Sequence, residues 1–169
     1  VSFICLAWMH QTIMKRVERP FDLESKVVSL LRANNGNFMK PLITWSKEFS
    51  VGNDEIDRQH KHMMRLINDM NETIQQGGSY VQISPIVQEL EDYTKLHFSK
   101  EESLLEQSHC PEFERHKNSH RHLMEELLDW KDKAVDSKPE KLKELMTFLT
   151  IWFPGHILNV DKRHAEFLK

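Results

Sequence analysis

The stretch that decides the fold is DEIDRQHKHMMRLINDMNETIQQGG, residues 54–78, in which apolar side chains recur at intervals of three and four. These side chains are Ile56, Met63, Leu66, Ile67, Met70 and Ile74. Such spacing places them on one face of an α-helix, and the glycines at positions 77 and 78 are typical of a helix end. Residues 54–78 therefore predict an amphipathic helix with one buried face.

Three further segments continue the helical pattern, and each is predicted to start close to a proline, a residue well suited to the first helical turn. The predicted starts are Ser84 with Pro85, Pro111, and Ser137 with Pro139. Four helices with short connections predict an all-α fold. We expect an up-down-up-down antiparallel four-helix bundle over residues 41–169, preceded by a poorly defined N-terminal extension and linker over residues 1–40.

The N-terminal extension allows several interpretations. Residues 1–9, VSFICLAWM, are apolar but far fewer than the roughly 20 residues that span a bilayer. We favour a loosely attached terminal segment. Three interpretations stay open, namely an alternative start codon, a fragment boundary and the cytoplasmic end of a membrane helix. Residues 22–33 predict a short helix that the linker NNGN ends.

Composition favours one domain in a reducing compartment. The chain has 169 residues, 39% hydrophobic and 29% charged, with a net charge of −3 and no basic stripe for a nucleic-acid backbone. Its two cysteines, Cys5 and Cys110, form no CxxC pair, which argues against a thiolate metal site and fits the cytoplasm. We expect neither nucleic acid nor a membrane as partner, and a monomer is one option for the oligomeric state.

Ten histidines are the unusual feature of the composition. Helical phase places five of them, together with two acids, on the same faces as the apolar residues of the four predicted helices. These seven residues are His60, His97, Glu101, His116, His120, His156 and Asp161. His10, His62, His109 and His122 are predicted to lie at the surface or at its boundary.

A buried histidine is by itself more often a satisfied core residue than a metal ligand. Seven inward-facing polar side chains from four helices are different, because burying them without a metal would leave several unpaired groups at about 1–3 kcal/mol each. Imidazole and carboxylate ligands without thiolates suit iron. The pattern therefore predicts a metal site in the bundle core.

Four motifs resemble the hemerythrins, and most closely the single-domain bacteriohemerythrins. They are VGNDEIDRQH at 51–60, HFSKEE at 97–102, CPEFERHKNSH at 110–120 and WFPGHILNVD at 152–161. The resemblance covers about residues 41–169. It implies a four-helix bundle that holds two oxo- or hydroxo-bridged non-heme irons and binds O2 reversibly.

The resemblance also assigns roles to residues. It implies that His116, His120 and His156 saturate one iron and that His60 and His97 leave an open position on the other. Glu101 and Asp161 are the implied bridging carboxylates. The implied lining of the O2 pocket is Met63, Phe98, Trp152, Phe153 and Ile157.

Three positions depart from the family pattern. Phe153 stands where a leucine usually lines the pocket, Cys110 replaces a common aromatic, and His164 replaces a common tyrosine and approaches the ligands in one interpretation. Pro154 and Gly155 interrupt the fourth helix just before a ligand, and we expect that helix to continue through Asp161 with a bend at the proline.

The expected function is O2 binding for storage, delivery or sensing, without enzymatic turnover. One alternative is a di-iron peroxidase or nitric-oxide-processing enzyme that uses the same open position. Another is a binding module whose iron state a partner reads through residues 1–40.

Overall fold

The computed structural model describes residues 40–134 and 139–169. The predicted extension before residue 40, including the short helix at residues 22–33, lies outside the described residues. Four α-helices run through the described part of the chain. They are α1 (Asp54–Gln75), α2 (Tyr80–Gln107), α3 (Phe113–Ala134) and α4 (Pro139–Asn159), with 3₁₀ helices at Lys47–Phe49 and Asp161–His164.

The helices form the predicted four-helix bundle. α1 packs against α2 and α4, and α3 packs against the same two helices. The short connections at residues 76–79 and 108–112 make consecutive helices antiparallel. No strand occurs in residues 40–134 or 139–169, so the all-α prediction is confirmed.

The buried apolar faces of the helices build the core in two parts. The larger part fills the middle of the bundle and includes Ile67, Met70, Ile83 and Leu145, each 0% exposed. The smaller part lies around Ile56, Leu105 and Leu168 near the ends of α1 and α2. The predicted stripe of residues 54–78 is therefore a core face.

The predicted start of α2 was wrong. The helix begins at Tyr80, where the side chain of Gln82 accepts a hydrogen bond from the backbone N–H of Ser79 at 2.9 Å. Pro85 then lies inside the helix and has no N–H to offer Val81, but the hydroxyl of Ser84 donates to that carbonyl at 3.2 Å. A local side-chain hydrogen bond thus compensates for the proline.

Two other helix boundaries differ from the prediction. α3 begins at Phe113 rather than at Pro111, since Pro111 and Glu112 form a turn that the N–H of Phe113 closes on the carbonyl of Cys110 at 3.1 Å. α4 continues through Pro154 and includes His156 as predicted, but it ends at Asn159, and Asp161 begins a 3₁₀ helix instead of extending α4.

Asn53 joins the start of α1 to the end of the chain. Its side-chain oxygen accepts from the N–H groups of Glu55 and Ile56 at 3.0 and 3.1 Å, and its side-chain nitrogen donates to the carbonyl of Leu168 at 2.6 Å. The helix cap and the anchor of the C-terminal segment are therefore one side chain.

The substitution Asn53→Ala is expected to lower the free energy of unfolding by about 1–3 kcal/mol, since it removes a helix cap and a part-buried hydrogen bond. Urea unfolding followed by circular dichroism measures the change. Asn118→Ala, at an exposed position of α3, is the control and should change the free energy by no more than about 0.5 kcal/mol. Equal effects of the two substitutions would contradict the anchoring role of Asn53.

Candidate metal centre

Seven polar side chains from the four α-helices and the C-terminal 3₁₀ helix converge inside the bundle. They are His60 of α1, His97 and Glu101 of α2, His116 and His120 of α3, His156 of α4, and Asp161 of the 3₁₀ helix. None is more than 6% exposed. The structure therefore brings together every residue that the sequence nominated for the metal site.

The seven side chains form two overlapping groups, in each of which the ligand atoms lie within 4.8 Å of one another. The first group is Glu101, His116, His120, His156 and Asp161, and the second is His60, His97 and Asp161. The histidines thus divide into three and two, and Asp161 belongs to both groups.

The three histidines of the first group point their Nε2 atoms at a common space. The Nε2 atoms of His116 and His120 are 2.9 Å apart, and those of His120 and His156 are 3.1 Å apart. Nitrogens at such distances could bind one metal ion, since two ligands about 2.1 Å from an ion and at right angles to each other are about 3.0 Å apart.

The two carboxylates lie between the groups. Glu101 Oε2 is 3.4 Å from the Nε2 atoms of both His116 and His120 and 3.6 Å from that of His97. Asp161 places Oδ1 at 2.9 Å from His156 Nε2 and Oδ2 at 3.5 Å from His60 Nε2. Each carboxylate therefore approaches histidines of both groups, as a shared ligand of two cations would.

Hydrogen bonds within the protein do not satisfy this cluster. Both oxygens of Glu101, both oxygens of Asp161 and both nitrogens of His60 are buried without a well-formed hydrogen bond to any described residue. Leaving so many polar groups unsatisfied would be costly unless a ligand completes them. Carboxylate and imidazole donors fit divalent iron, so the residues present fit a di-iron group.

The charges of the cluster suit a cation. Burial and the neighbouring Asp161 raise the pKa of Glu101, but the attraction of the His116 and His120 imidazoles, each 3.4 Å away, outweighs them and brings that pKa to about 2. Burial likewise opposes ionisation of Asp161, but His156 and His60 hold its pKa well below the usual value. Both carboxylates are therefore anionic at neutral pH.

The pKa values of two histidines of the cluster shift in opposite directions. Burial, reinforced by His60, lowers the pKa of His97 to about 3, so its imidazole is neutral and free to bind a metal through a lone pair. Burial acts to lower the pKa of His120 as well, but the neighbouring carboxylates of Glu101 and Glu102 outweigh burial and raise that pKa above its usual value.

The stability of the metal-free protein should fall as the pH decreases from about 6.5 to about 3, because of His97. Above this window the imidazole is neutral in both states; within it, the unfolded chain binds a proton that the folded chain does not, which favours unfolding. The lowered pKa values of Glu101 and Asp161 add to the fall only below about pH 4.5 and 3.8, and burial of His164, which lowers its pKa, adds to it below about 6.5. The raised pKa of His120 acts above about 6.5.

Urea unfolding at a series of pH values, after removal of metal by a chelator, measures this dependence. His97→Leu should flatten the curve between about pH 6.5 and 4.5. His122→Leu removes a histidine whose side chain is 69% exposed and should leave the slope unchanged. An unchanged slope in His97→Leu would contradict the role of His97.

The outer nitrogens of three histidines have partners in the surrounding protein. His97 Nδ1 lies 3.0 Å from the amide oxygen of Gln59, and His120 Nδ1 lies 3.0 Å from a carboxylate oxygen of Glu102. Such contacts fix the ring orientation and leave Nε2 for the metal. The partner of His116 is a third histidine contact, in which His116 Nδ1 lies 3.0 Å from His164 Nδ1.

Sequence reasoning missed Gln59 and Glu102. Gln59 is only 4% exposed and lies three residues after Ile56, so the helical phase of α1 already carried the signal. Glu102 follows Glu101 and is part-buried, and no pattern in the sequence distinguished it from a surface acid.

A small cavity of about 20 Å³ adjoins the second group. His60, His97 and Asp161 line it together with one histidine of the first group, His156, whereas His116 and His120 do not. The five residues of the predicted O2 pocket, Met63, Phe98, Trp152, Phe153 and Ile157, all belong to its wall. The wall also contains residues that the sequence did not nominate, namely Ile67, Leu90, Thr94, Leu123, Leu127 and Leu149.

The cavity has room for about one water-sized molecule, since a space of roughly 10–15 Å³ is the minimum for one. Its apolar wall offers few polar groups besides the candidate ligands, the exception being the hydroxyl of Thr94, which lies 3.6 Å from the sulfur of Met63. The space has room for a diatomic molecule.

The remaining histidines of the described chain lie outside the cluster. His62 is part-buried and sits beside Glu89 at 3.3 Å and the ring of Tyr93, and it is a boundary residue as predicted. His122 is exposed, and His109 occupies the turn before α3. His10 lies outside the described residues.

Comparison with protein families identifies the chain. The sequence model of the hemerythrin HHE cation binding domain matches residues 51–167, well over half of the chain. The chain belongs to the hemerythrin family. The resemblance predicted from the four motifs is thereby confirmed.

Two relatives of the hemerythrin domain illustrate the match in sequence. The bacteriohemerythrin of Clostridium acetobutylicum is 27% identical over 129 residues, which is 74% of this chain and 100% of that protein. A bacteriohemerythrin of Pseudomonas aeruginosa is 29% identical over 129 residues, 75% of this chain and 82% of that protein.

Solved hemerythrin structures share the fold of the domain. Wild-type hemerythrin superimposes with a TM-score of 0.64 at 26% identity, over 75% of this chain and 98% of that one. A leucine-to-alanine variant of hemerythrin gives a TM-score of 0.69 at 26% identity, over 76% of this chain and 98% of that one.

The positions that depart from the family pattern have definite surroundings in the hemerythrin domain. Phe153 is 6% exposed and packs edge-on against His60, with ring centroids 6.1 Å apart. Cys110 is buried in the smaller part of the core as a free thiol. Cys110 is therefore a packing residue.

None of the helices in residues 40–134 and 139–169 combines the length and apolar character needed to cross a bilayer. A cytoplasmic location stays a prediction from the cysteine content.

Proposed function

We propose that this hemerythrin domain binds O2 reversibly at a non-heme di-iron centre and that it acts in oxygen storage, delivery or sensing. The observation that carries the proposal is the asymmetry of the site. Three histidines serve one group and two serve the other, and the small apolar cavity touches both histidines of the smaller group but only His156 of the larger one. The open position and the space for a diatomic ligand would therefore coincide.

The proposed ligands follow from the two groups. His116, His120 and His156 would hold one iron, and His60 and His97 would hold the other. Glu101 and Asp161 would bridge the two, since each lies within 3.7 Å of histidines from both groups. When bound, a pair of ferrous ions would supply the two electrons that reversible O2 binding requires.

The residues around the cavity would protect the site from water. Met63, Phe153 and Ile157 are at most 6% exposed and bring apolar surface to the side of His60. The ring of Trp152 stacks on His156 at 4.5 Å between centroids, and Phe98 stacks on His120 at 3.6 Å. Rigid aromatic contacts would hold the ligands in place while apolar walls keep solvent out.

Anaerobic titration of the iron-loaded protein with O2 tests the proposal. We expect two irons per chain and a visible charge-transfer band that appears with O2 and fades when O2 is removed. Irreversible oxidation without such a band would overturn reversible binding. Sustained consumption of peroxide or nitric oxide would instead support the enzymatic alternative.

A histidine outside the cluster provides the matched control. Replacing His122, whose side chain is 69% exposed, with leucine should leave both the iron content and the band unchanged. His97→Leu removes a donor from the group beside the cavity and should abolish the band.

A further inference from the structure

His164 lies on the same short helix as Asp161. The 3₁₀ helix Asp161–His164 has about three residues per turn, so its first and fourth residues project from the same side. Asp161 enters the ligand cluster, and His164, only 4% exposed, reaches the ring of His116. The change from α4 to a 3₁₀ helix thus delivers two side chains to the centre.

The contact between His164 and His116 joins two Nδ1 atoms. They are 3.0 Å apart, and the two rings meet edge-on at 5.1 Å between centroids. His116 Nε2 faces Glu101 at 3.4 Å and His120 Nε2 at 2.9 Å, on the opposite side of the ring. The inner nitrogen of His116 thus belongs to the cluster and its outer nitrogen to His164.

A neutral imidazole carries one proton, so only one tautomer of His116 is useful here. If Nε2 is to bind a cation, the proton must sit on Nδ1, and a neighbouring acceptor stabilises it there. Gln59 and Glu102 offer such acceptors to His97 and His120 through oxygen atoms. His116 has a histidine instead, which can accept through Nδ1 only when its own proton is on Nε2.

Glu112 is placed to fix the proton of His164. One of its carboxylate oxygens lies 3.8 Å from His164 Nε2, a buried nitrogen with no hydrogen bond to the described residues. A carboxylate accepts hydrogen bonds and does not donate them when ionised, so its proximity favours a proton on Nε2. At 3.8 Å a small movement or a bridging water would complete the contact.

We infer that His164 is a positioning residue that holds His116 in the tautomer with Nε2 turned to the metal, and that Glu112 sets the tautomer of His164. The inference rests on the proposed metal centre but concerns a residue outside its ligand set. The simpler alternative is that His164 only fills space between α3 and the C-terminal segment.

Two substitutions separate these possibilities. His164→Phe keeps a flat ring and removes both nitrogens, whereas His164→Asn keeps a short side chain whose amide oxygen can accept from His116 Nδ1. A space-filling role predicts that phenylalanine is the better replacement. A positioning role predicts that asparagine is.

The first measurement uses the Zn²⁺-loaded protein, so it does not depend on O2 binding or on iron. Nitrogen-15 NMR of the labelled imidazoles reports which nitrogen of His164 is protonated and whether its Nδ1 accepts the Nδ1 proton of His116. We expect His164 in the Nε2–H form, with a scalar coupling between the two Nδ1 atoms across the hydrogen bond. The Nδ1–H form of His164, or the absence of this coupling, would overturn the inference.

The second measurement is the rate at which a chelator removes Zn²⁺, used as a probe without redox chemistry. Loss of a group that orients a metal ligand typically weakens metal binding by about 10- to 100-fold, so release should accelerate by that factor in His164→Phe and by less than about threefold in His164→Asn. His122→Phe, the same change at an exposed position of α3, should not alter release. Equal acceleration in both His164 variants would favour a space-filling role.

The outcomes distinguish this inference from the proposed function. A protein that binds Zn²⁺ with the expected His164 tautomer but shows no reversible O2 band would contradict the proposed function alone. If His164→Phe does not fold, Glu112→Leu provides the test, because it removes the carboxylate acceptor beside His164 Nε2 and adds no donor. An unchanged His164 tautomer in Glu112→Leu would overturn the role assigned to Glu112.

Discussion

Replacing Asp161 with alanine is expected to empty both metal positions. Asp161 contributes to both groups, with one oxygen at 2.9 Å from His156 and the other at 3.5 Å from His60. Removal of a residue that merely orients a ligand weakens metal binding by about 10- to 100-fold, so loss of a shared ligand should exceed about 100-fold. Iron analysis after gel filtration, with the content expressed per chain, measures the result.

A matched variant makes this prediction specific to the sharing of Asp161. His60 belongs only to the second group, so His60→Leu should lose one iron and keep the other. Circular dichroism of both variants shows whether the bundle is intact. Retention of one iron in Asp161→Ala would mean that Asp161 serves a single position and does not bridge.

Much of the metal site could be predicted because helical phase is a local property. Spacing of three and four residues defines an inward face wherever a helix is regular, and His60, His97 and His116 all lie on such faces. The predicted helices needed only approximate boundaries for this purpose. An error of several residues at a helix end does not change the phase of its middle.

The ends of the helices were harder to predict because weak local interactions decide them. The start of α2 depends on Ser79 and Gln82, a pattern that is present in the sequence but that the proline at position 85 outweighed in the prediction. A proline inside a helix is tolerated there because Ser84 occupies the carbonyl that Pro85 leaves without a partner. That compensation involves a hydroxyl orientation that spacing does not reveal.

The end of α4 could not be derived from helical spacing alone. Positions five residues apart lie about 140° apart on an α-helix, so His156 and Asp161 could not face one point if the helix continued unchanged. The structure ends α4 at Asn159, whose side chain donates to the carbonyl of Gly155 at 2.8 Å, and then tightens to a 3₁₀ helix. This change of helix type brings the two side chains to 2.9 Å.

Opening the cavity at Phe153 is expected to accelerate the irreversible oxidation of the iron centre. Phe153 lines a space of about 20 Å³, enough for roughly one small molecule, and packs against His60. Phe153→Leu replaces the ring with a smaller side chain and would let water enter beside O2. If water lowers the activation free energy of the irreversible oxidation by about 1.4 kcal/mol, that oxidation becomes about tenfold faster.

Filling the cavity with a larger side chain should slow the entry of O2. Leu149 is 4% exposed, lines the same cavity one turn before Phe153 and is not a candidate ligand. Leu149→Phe would fill the space, so O2 association measured by stopped-flow absorbance should slow by on the order of tenfold or more while the iron content stays the same. Because overpacking can cost about 1–3 kcal/mol, urea unfolding must accompany the measurement.

The pair of variants identifies what the cavity does. If this space controls access to the centre, oxidation should be faster in Phe153→Leu and O2 binding slower in Leu149→Phe, with iron retained in both. If both variants bind O2 and oxidise at the rates of the unaltered protein, the ligand reaches the irons by another route. The aromatic side chain at position 153 would then be a packing residue, and its proximity to His60 would have no bearing on the life of the oxygen complex.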